Sequence, residues 1–436
     1  MYGAKRSAPR ADPGAALPDA PGLIAQPSRA PAVANPIIFT MSAGHWVYLD
    51  NNATTRMDEQ VLQAMLPYLR HEYGNPSSIH SFGARLQPVL DQAREHVASL
   101  IGAEPGEIVF TSGGTESDNW ALHAGVTSRG GRRGLVTSAV EHHAVLHAAE
   151  ALKRQGAADV RIVGVAPDGT LRMDELAAGI GPETAIVSLM HANNETGVLF
   201  DLPSAVHTVR QIEPRAWFHT DATQTLGKLP VDVRAMGVDL LTGSGHKLHG
   251  PKGIGFLYIR RSIRLRPLLV GGPQNRERRA GTEHVAGIVG LGEACRLARE
   301  RLEADTRRVR AMRHRLESGL LAAIEGCRIN GHAADRLPNT CNIGFSGVEA
   351  EPLLILLSQA QIAASAGSAC TSGSLEPSHV LAAMGVPTEF AHGSIRLSLS
   401  RETSEAEIDR VVSLLPGMVA RLRGLNEPLT RRPERV

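Results

Sequence analysis

Apolar residues along the chain fall into two patterns. Short runs of consecutive apolar positions alternate with longer stretches in which apolar residues recur every three or four positions. The runs Glu107–Thr111, Leu135–Ser138, Val160–Val165, Ala185–Met190, Ala216–Thr220, Val238–Thr242 and Ile254–Ile259 predict strands. Helical patterns lie between them. Gly83–Ile101 carries Leu86, Val89, Leu90, Ala93, Val97, Leu100 and Ile101 on one face and stops at Gly102, and His143–Arg154 ends before Gly156. This alternation predicts an α/β domain with a largely parallel sheet.

After about residue 286 the pattern changes. An arginine-rich helical stretch runs to about Ile324, followed by shorter pieces at Thr340–Phe345, Glu351–Gln359 and Ile395–Ser398 and a last helix near Ser404–Leu422. These predict a second α+β domain, with a boundary near residue 300 that the long helix bridges. Residues 420–436 read as a frayed tail. At the other end, residues 1–40 hold ten alanines and seven prolines without an amphipathic period, which predicts disorder. Asp12, Asp19 and the prolines argue against a helical transit peptide, and there is no signal-peptide apolar core. Met41 stands just before the ordered pattern at His45, so a chain started there is expected to fold and work.

Composition narrows the class. Of 436 residues, 42% are hydrophobic and 21% charged, as in an ordinary soluble globular protein of two or three domains. A net charge of +2 gives no reason to expect nucleic acid or a membrane surface. No apolar run reaches the roughly 18 residues of a membrane span. The four cysteines, Cys295, Cys327, Cys341 and Cys370, contain no CxxC. That suits neither a disulfide scaffold nor a cysteine-only zinc site, and a reducing cytoplasm is the simplest setting. Only five lysines stand against forty-one arginines: Lys5, Lys153, Lys228, Lys247 and Lys252. Chemistry that needs a primary amine therefore has five candidates, since arginine stays protonated.

Ligands of open α/β sheets bind beyond the carboxyl ends of the strands. Five of the seven predicted strand ends carry polar groups: Ser112–Ser117, Glu141–His143, His191–Glu195, Asp221–Gln224 and Ser244–Lys247. The first is a Gly-rich turn into a predicted helix at Asp118–Ala124. Such a turn suits a phosphate or is simply a capped turn; it is neither a Walker A motif nor GxGxxG. Lys247, in Ser244-Gly245-His246-Lys247, has small neighbours and a carboxylate, Asp221, at the preceding strand end. Phosphate turn, lysine and carboxylate together are what pyridoxal phosphate requires. Lys5 lies in the tail, Lys153 at a helix end, and Lys228 and Lys252 in turns without such flanks. His142 fits a ring-stacking, proton-moving imidazole better than a metal ligand, and no intrinsic metal site is expected. Cys370 sits in a Gly/Ser/Ala-rich stretch before a helix predicted at about Pro377–Met384, which suits an accessible nucleophile. Cys295 falls in a helix, Cys341 in a strand and Cys327 in a turn. Arg396, flanked by Ile395 and Leu397, is a surface salt-bridge residue or a bidentate grip on a substrate carboxylate.

These stretches carry a resemblance over about residues 46–428. Tyr48–Thr55, Tyr73–Ser78, Thr111–Asp118, Asn193–Gly197, Ser244–Gly253, Arg279–Glu283 and Gly367–His379 resemble the class V aminotransferase-like cysteine desulfurases. Ser368–His379 is especially similar to the nitrogen-fixation (NifS) type. The resemblance implies the pyridoxal-phosphate fold type I, with a mainly parallel seven-stranded sheet in a large domain at 57–304. It implies a small domain from 45–56 with 305–428, a disordered extension at 1–44 and a tail at 429–436. Lys247 is then the Schiff-base lysine and His142 the stacking proton shuttle. Asp221 binds the pyridine nitrogen and Gln224 the ring hydroxyl. Gly114, Thr115, Ser244 and His246 hold the phosphate, with Thr282 reaching in from the partner of a homodimer, and Gly245 and Asn194 also bind the cofactor. Asn194 and Arg396 hold the carboxylate of L-cysteine. Cys370 takes the sulfur, leaving L-alanine and a persulfide for an iron–sulfur scaffold of the NifU kind. Arg56 and Gly114 depart from the commoner Pro and Ala, and residues 1–40 have no counterpart. A selenocysteine lyase or aminotransferase of the same superfamily, or a non-catalytic assembly protein on this fold, remain the alternatives at this level.

Overall fold

The computed structural model describes residues 45–331, 335–366 and 378–426. The predicted extension, the tail from 429 and Cys370 lie outside the described residues. Thirteen strands are present among those described: β1 (Val47–Tyr48), β2 (Ile108–Thr111), β3 (Gly134–Ser138), β4 (Asp159–Val163), β5 (Thr184–Ser188), β6 (Trp217–Asp221), β7 (Leu240–Ser244), β8 (Gly255–Ile259), β9 (Cys327–Ile329), β10 (Thr340–Phe345), β11 (Ile362–Ala363), β12 (Ser365–Ala366) and β13 (Ser394–Ser398).

Strands β2 to β8 form one seven-stranded sheet in the order β2-β8-β7-β6-β5-β3-β4. Strand β8 runs antiparallel to both neighbours, and every other pairing is parallel. The near-continuous apolar runs have a direct cause: successive residues enter different cores on the two faces. Val136, Val187, Phe218 and Leu241 pack with Leu90, Val97 and Leu291, from the helices Gln87–Leu100 and Val285–Ala323. Their neighbours Leu135, Ile186, Trp217 and Leu240 pack with Trp120, Val145 and Leu152, from the helices Gly114–Thr127 and His143–Arg154. At Gly255 a Cβ would lie 2.7 Å from the Gly113 Cα, so β8 can pass against the Gly-rich turn only because it carries no side chain there.

A second, four-stranded antiparallel sheet has the order β12-β13-β10-β9. Its core joins Ile343, Ile395 and Leu397 to Leu316 and Leu320 of the long helix and to Ile408 and Leu415 of the helix Glu405–Asn426. The 39-residue helix Val285–Ala323 thus serves both cores, its first half the large sheet and its second half the small one. The chain at 47–55 connects the second sheet to the site. Strand β1 pairs in parallel with β11, Asn51 N donates to Ser398 O at 3.1 Å, and Thr55 N donates to His246 O at 2.9 Å.

Three local expectations are corrected. The helix expected over Gly83–Ile101 is two, Ser81–Ala84 and Gln87–Leu100. Pro88 explains the break, because it has no N–H to give the preceding turn and favours the first turn of a new helix. Cys327 opens β9 instead of lying in a turn. The helix expected at Asp118–Ala124 begins at Gly114, so its first turn reaches the Gly-rich segment itself.

Candidate active site

The five polar strand ends converge on one cavity of about 300 Å³. Gly114 and Thr115 enter it from the first turn of the helix that follows β2, and His142 from the cap of the helix that follows β3. Asn194 enters from the loop after β5, and Asp221 and Gln224 from the end of β6 and the turn beyond it. Ser244, His246 and Lys247 enter from the end of β7 and the 3-10 turn after it. Arg396 reaches in from β13 of the other sheet. One expected residue is elsewhere: Gly245 is buried behind the wall, where a Cβ would lie 3.0 Å from Pro251 O. Thr282, expected to serve a partner's site, is exposed outside this cavity.

Local structure fixes several of these groups. His142 caps its helix: Nδ1 accepts the Ala144 N–H at 3.1 Å. A neutral His142 therefore carries its proton on Nε2. Burial lowers its pKa, with Lys247 adding to the effect and Asp221 opposing it. Asp221 Oδ1 accepts the Thr223 N–H at 2.9 Å. Two neighbouring carboxyls are shifted upward. Burial pushes Glu141 up to about 8, and burial together with the Asp221 charge holds Asp118 well above the carboxylate range. Lys247 Nζ donates to Asn52 O and, at 2.7 Å, to Ala53 O. Arg396 is only 2% exposed; it donates to Asp50 Oδ1 at 2.7 Å and to Asn194 O at 3.1 Å. Its Nε has no hydrogen-bond partner among the described residues.

The donor set suits a phosphorylated, nitrogen-containing ring. The first N–H groups of an α-helix have no partner within the helix and attract anions, and the 14-residue helix Gly114–Thr127 begins at the cavity. Beside it Thr223 Oγ1 is buried with no hydrogen-bond partner, 3.3 Å from where a Gly114 Cβ would lie. Ser244 is in the same place, its Cβ 3.7 Å from that point. This orphaned hydroxyl, the glycine cradle and the helix start form an anion seat, while Asp221 supplies a carboxylate and Lys247 a primary amine. Sequence reasoning overlooked Thr223, Asn52 and His379 in this wall, and it discounted Lys228, which contacts Gln224. Asn52 and His379 lie in the motifs quoted above; only the three-dimensional turn shows the place of Lys228.

The buried histidines give a stability prediction. Burial pushes His191, His219, His246 and His249 down to about 4. An unfolded histidine titrates near ~6.5, so on acidification the unfolded chain takes up protons first. The stability these groups supply is fully present above about 6.5 and is lost as pH falls through that window toward 4. Melting temperatures should decline steeply across it; a flat profile down to pH ~5 would contradict the assignment of these rings as neutral.

Comparison with known proteins agrees with this geometry. The family model "Aminotransferase class-V" matches residues 47–411. The chain belongs to the class-V aminotransferase family. A protein named cysteine desulfurase from Trichormus azollae is 51% identical over 380 residues, 87% of this chain and 94% of that protein. Cysteine desulfurase NifS of Azotobacter vinelandii is 48% identical over 381 residues, again 87% and 94%. A solved structure titled NifS-like protein superposes with a TM-score of 0.81 at 37% identity, covering 86% of this chain and all of that one. The family fold is pyridoxal-phosphate fold type I, and the cofactor is pyridoxal 5'-phosphate. No helix among the described residues is long and apolar enough to cross a membrane.

Proposed function

We propose that this protein removes sulfur from L-cysteine, leaving L-alanine and a persulfide on Cys370, and delivers that sulfur to iron–sulfur cluster assembly for nitrogenase. It is a pyridoxal-phosphate-dependent cysteine desulfurase. The observation that carries the reading is the meeting of Lys247, Asp221, His142 and Arg396 in one cavity beside a helix start. The reaction balances with no outside reductant. The substrate Cβ–S bond breaks, an S–S bond forms on Cys370, and the thiol protons end on alanine and the persulfide.

Each wall group has a part. Gly114, Thr115, Ser244 and His246 seat the phosphate, with Gly245 shaping the turn behind them. Asp221 pairs with the ring nitrogen, Gln224 with the ring hydroxyl, and Lys247 holds the cofactor covalently. When bound, the cofactor supplies an electron sink that weakens bonds at the amino acid. His142 presents Nε2–H while its cap bond to Ala144 holds the ring still, which suits both stacking and proton movement. Arg396 and Asn194 orient the substrate carboxylate. Burial of Arg396 strengthens that grip, and the Asp50 pair holds the guanidinium in place.

Purified protein given L-cysteine and a reductant should release alanine and sulfide in equal amounts; no alanine would refute the reading. Arg396→Lys keeps the charge but loses the planar fork, so KM for cysteine should rise about tenfold while cofactor content stays constant. An unchanged KM would remove Arg396 from the substrate site. The same proposal includes a cytoplasmic homodimer, with Thr282 completing the partner's phosphate seat, a NifU-like scaffold as acceptor, and domains at 57–304 and at 45–56 with 305–428. Faster cluster formation on a NifU-type scaffold than on a general one would support the nitrogenase destination, and the reverse would count against it.

A further inference from the structure

The turn at 222–229 carries a second amine to the cavity wall. Lys228 Nζ donates to Gln224 O at 2.9 Å and to Gln224 Oε1 at 3.1 Å. The other end of the same amide, Nε2, donates to Asn52 O at 3.0 Å, the carbonyl that also accepts from Lys247. Lys228 is itself held. Gly227 takes φ +71°, and a Cβ there would lie 3.2 Å from the Ala298 Cβ and 3.4 Å from the Leu248 Cβ. Thr306 of the long helix donates to Lys228 O at 2.7 Å.

The two ends of a glutamine amide are nearly equal in shape but opposite in hydrogen bonding. Flipping Gln224 would set its NH₂ against the lysine amine, donor to donor. It would also set Oε1 against Asn52 O, acceptor to acceptor. A buried mismatch of that kind costs the full desolvation of the groups involved. Lys228 therefore selects one orientation, with N–H donors on the side of Asn52 and Lys247, both of which line the cavity.

We propose that Lys228 is a positioning residue that locks Gln224 with its N–H donors toward the cofactor site. The proposal rests on the reading of Gln224 as the partner of the ring hydroxyl. A donor fixed in advance favours an oxygen acceptor at no reorganisation cost, whereas an unlocked amide divides its time between a donor and an acceptor. Lys247 and Arg396 bear on the same amine, and Asp305, His249 and Arg401 line the small cavity it shares with Lys247. Burial, with those two cations, pushes Lys228 down to about 7. The ammonium has donors alone and enforces the lock; the neutral amine adds a lone pair that tolerates the flipped amide, leaving only the contact of Oε1 with Asn52 O to oppose the flip.

The test is a double-mutant cycle on the purified holoenzyme, read by the Kd for pyridoxal phosphate and by the position of its visible absorbance band. Gln224→Ala tests the underlying reading: it should weaken binding about tenfold and move the band. Lys228→Met should do nearly the same, and the double variant should be no worse than Gln224→Ala alone. Lys228→Arg, which keeps a donor, should restore both values. Wild-type Kd and band in Lys228→Met would overturn the lock, and so would losses that add in the double variant. An effect of neither substitution, in a wild-type protein that binds cofactor, would overturn the reading of Gln224 and the lock with it. If Lys228→Met yields no folded protein, Lys228→Ala takes its place in the same cycle.

Discussion

Cys370→Ala is expected to lower alanine formation from L-cysteine by on the order of a thousandfold or more, while bound cofactor keeps its visible absorbance. The size of the effect follows from the lack of a substitute among the described cysteines. Cys295 and Cys341 are buried, and burial pushes both thiols far above neutral pH. Cys327 is half-buried at the start of β9, raised by burial, with its Sγ near the Ile324 carbonyl at 3.0 Å. None of the three lines the cavity. Only a thiolate attacks sulfur, so raised and sequestered thiols cannot replace a missing nucleophile. Steady-state alanine release checks this, and turnover within a few-fold of wild type would remove Cys370 from the reaction.

Lys247→Ala should have an effect of similar size, again on the order of a thousandfold, through loss of the covalent hold on the cofactor. The anion seat at Gly114, Thr223 and Ser244 and the carboxylate of Asp221 remain in this variant, so weak reversible binding should persist. Borohydride reduction followed by peptide mapping separates the lysines. Wild-type protein should carry the pyridoxyl label on Lys247, and the variant should carry none. Lys228 makes this a demanding test, since it is an amine held against the wall residue Gln224 and is pushed down to about 7 by burial. A label on Lys228 in the wild-type protein would contradict the assignment.

The strands were legible because the sheet is covered on both faces. Ile186 and Val187 enter different cores, as do Trp217 and Phe218, so whole runs are apolar and stand out. The site was legible for a related reason: polar groups at the ends of such runs have few structural uses. Strand order was not legible. Nothing local to Gly255–Ile259 marks it as the antiparallel strand of the seven-stranded sheet, inserted between β2 and β7. The break before Pro88 was overridden by a helical period that continues through it. Arg396 could be placed on a strand, but its pairing with Asp50 depends on the 47–55 segment crossing to β13. Lys228 was discounted because its flanks are unremarkable. Its significance comes from a turn, closed by Gly227 against Ala298 and Leu248, that brings it back to a residue four positions earlier.

The central claim is that sulfur from free cysteine comes to rest on one particular thiol. Wild-type protein mixed with L-cysteine, with no acceptor or reductant present, can be alkylated, digested and mapped by mass spectrometry. One equivalent of alanine and a gain of one sulfur atom on the peptide containing Cys370 are expected. Alanine without that gain, or the extra sulfur on Cys295, Cys327 or Cys341, would contradict it.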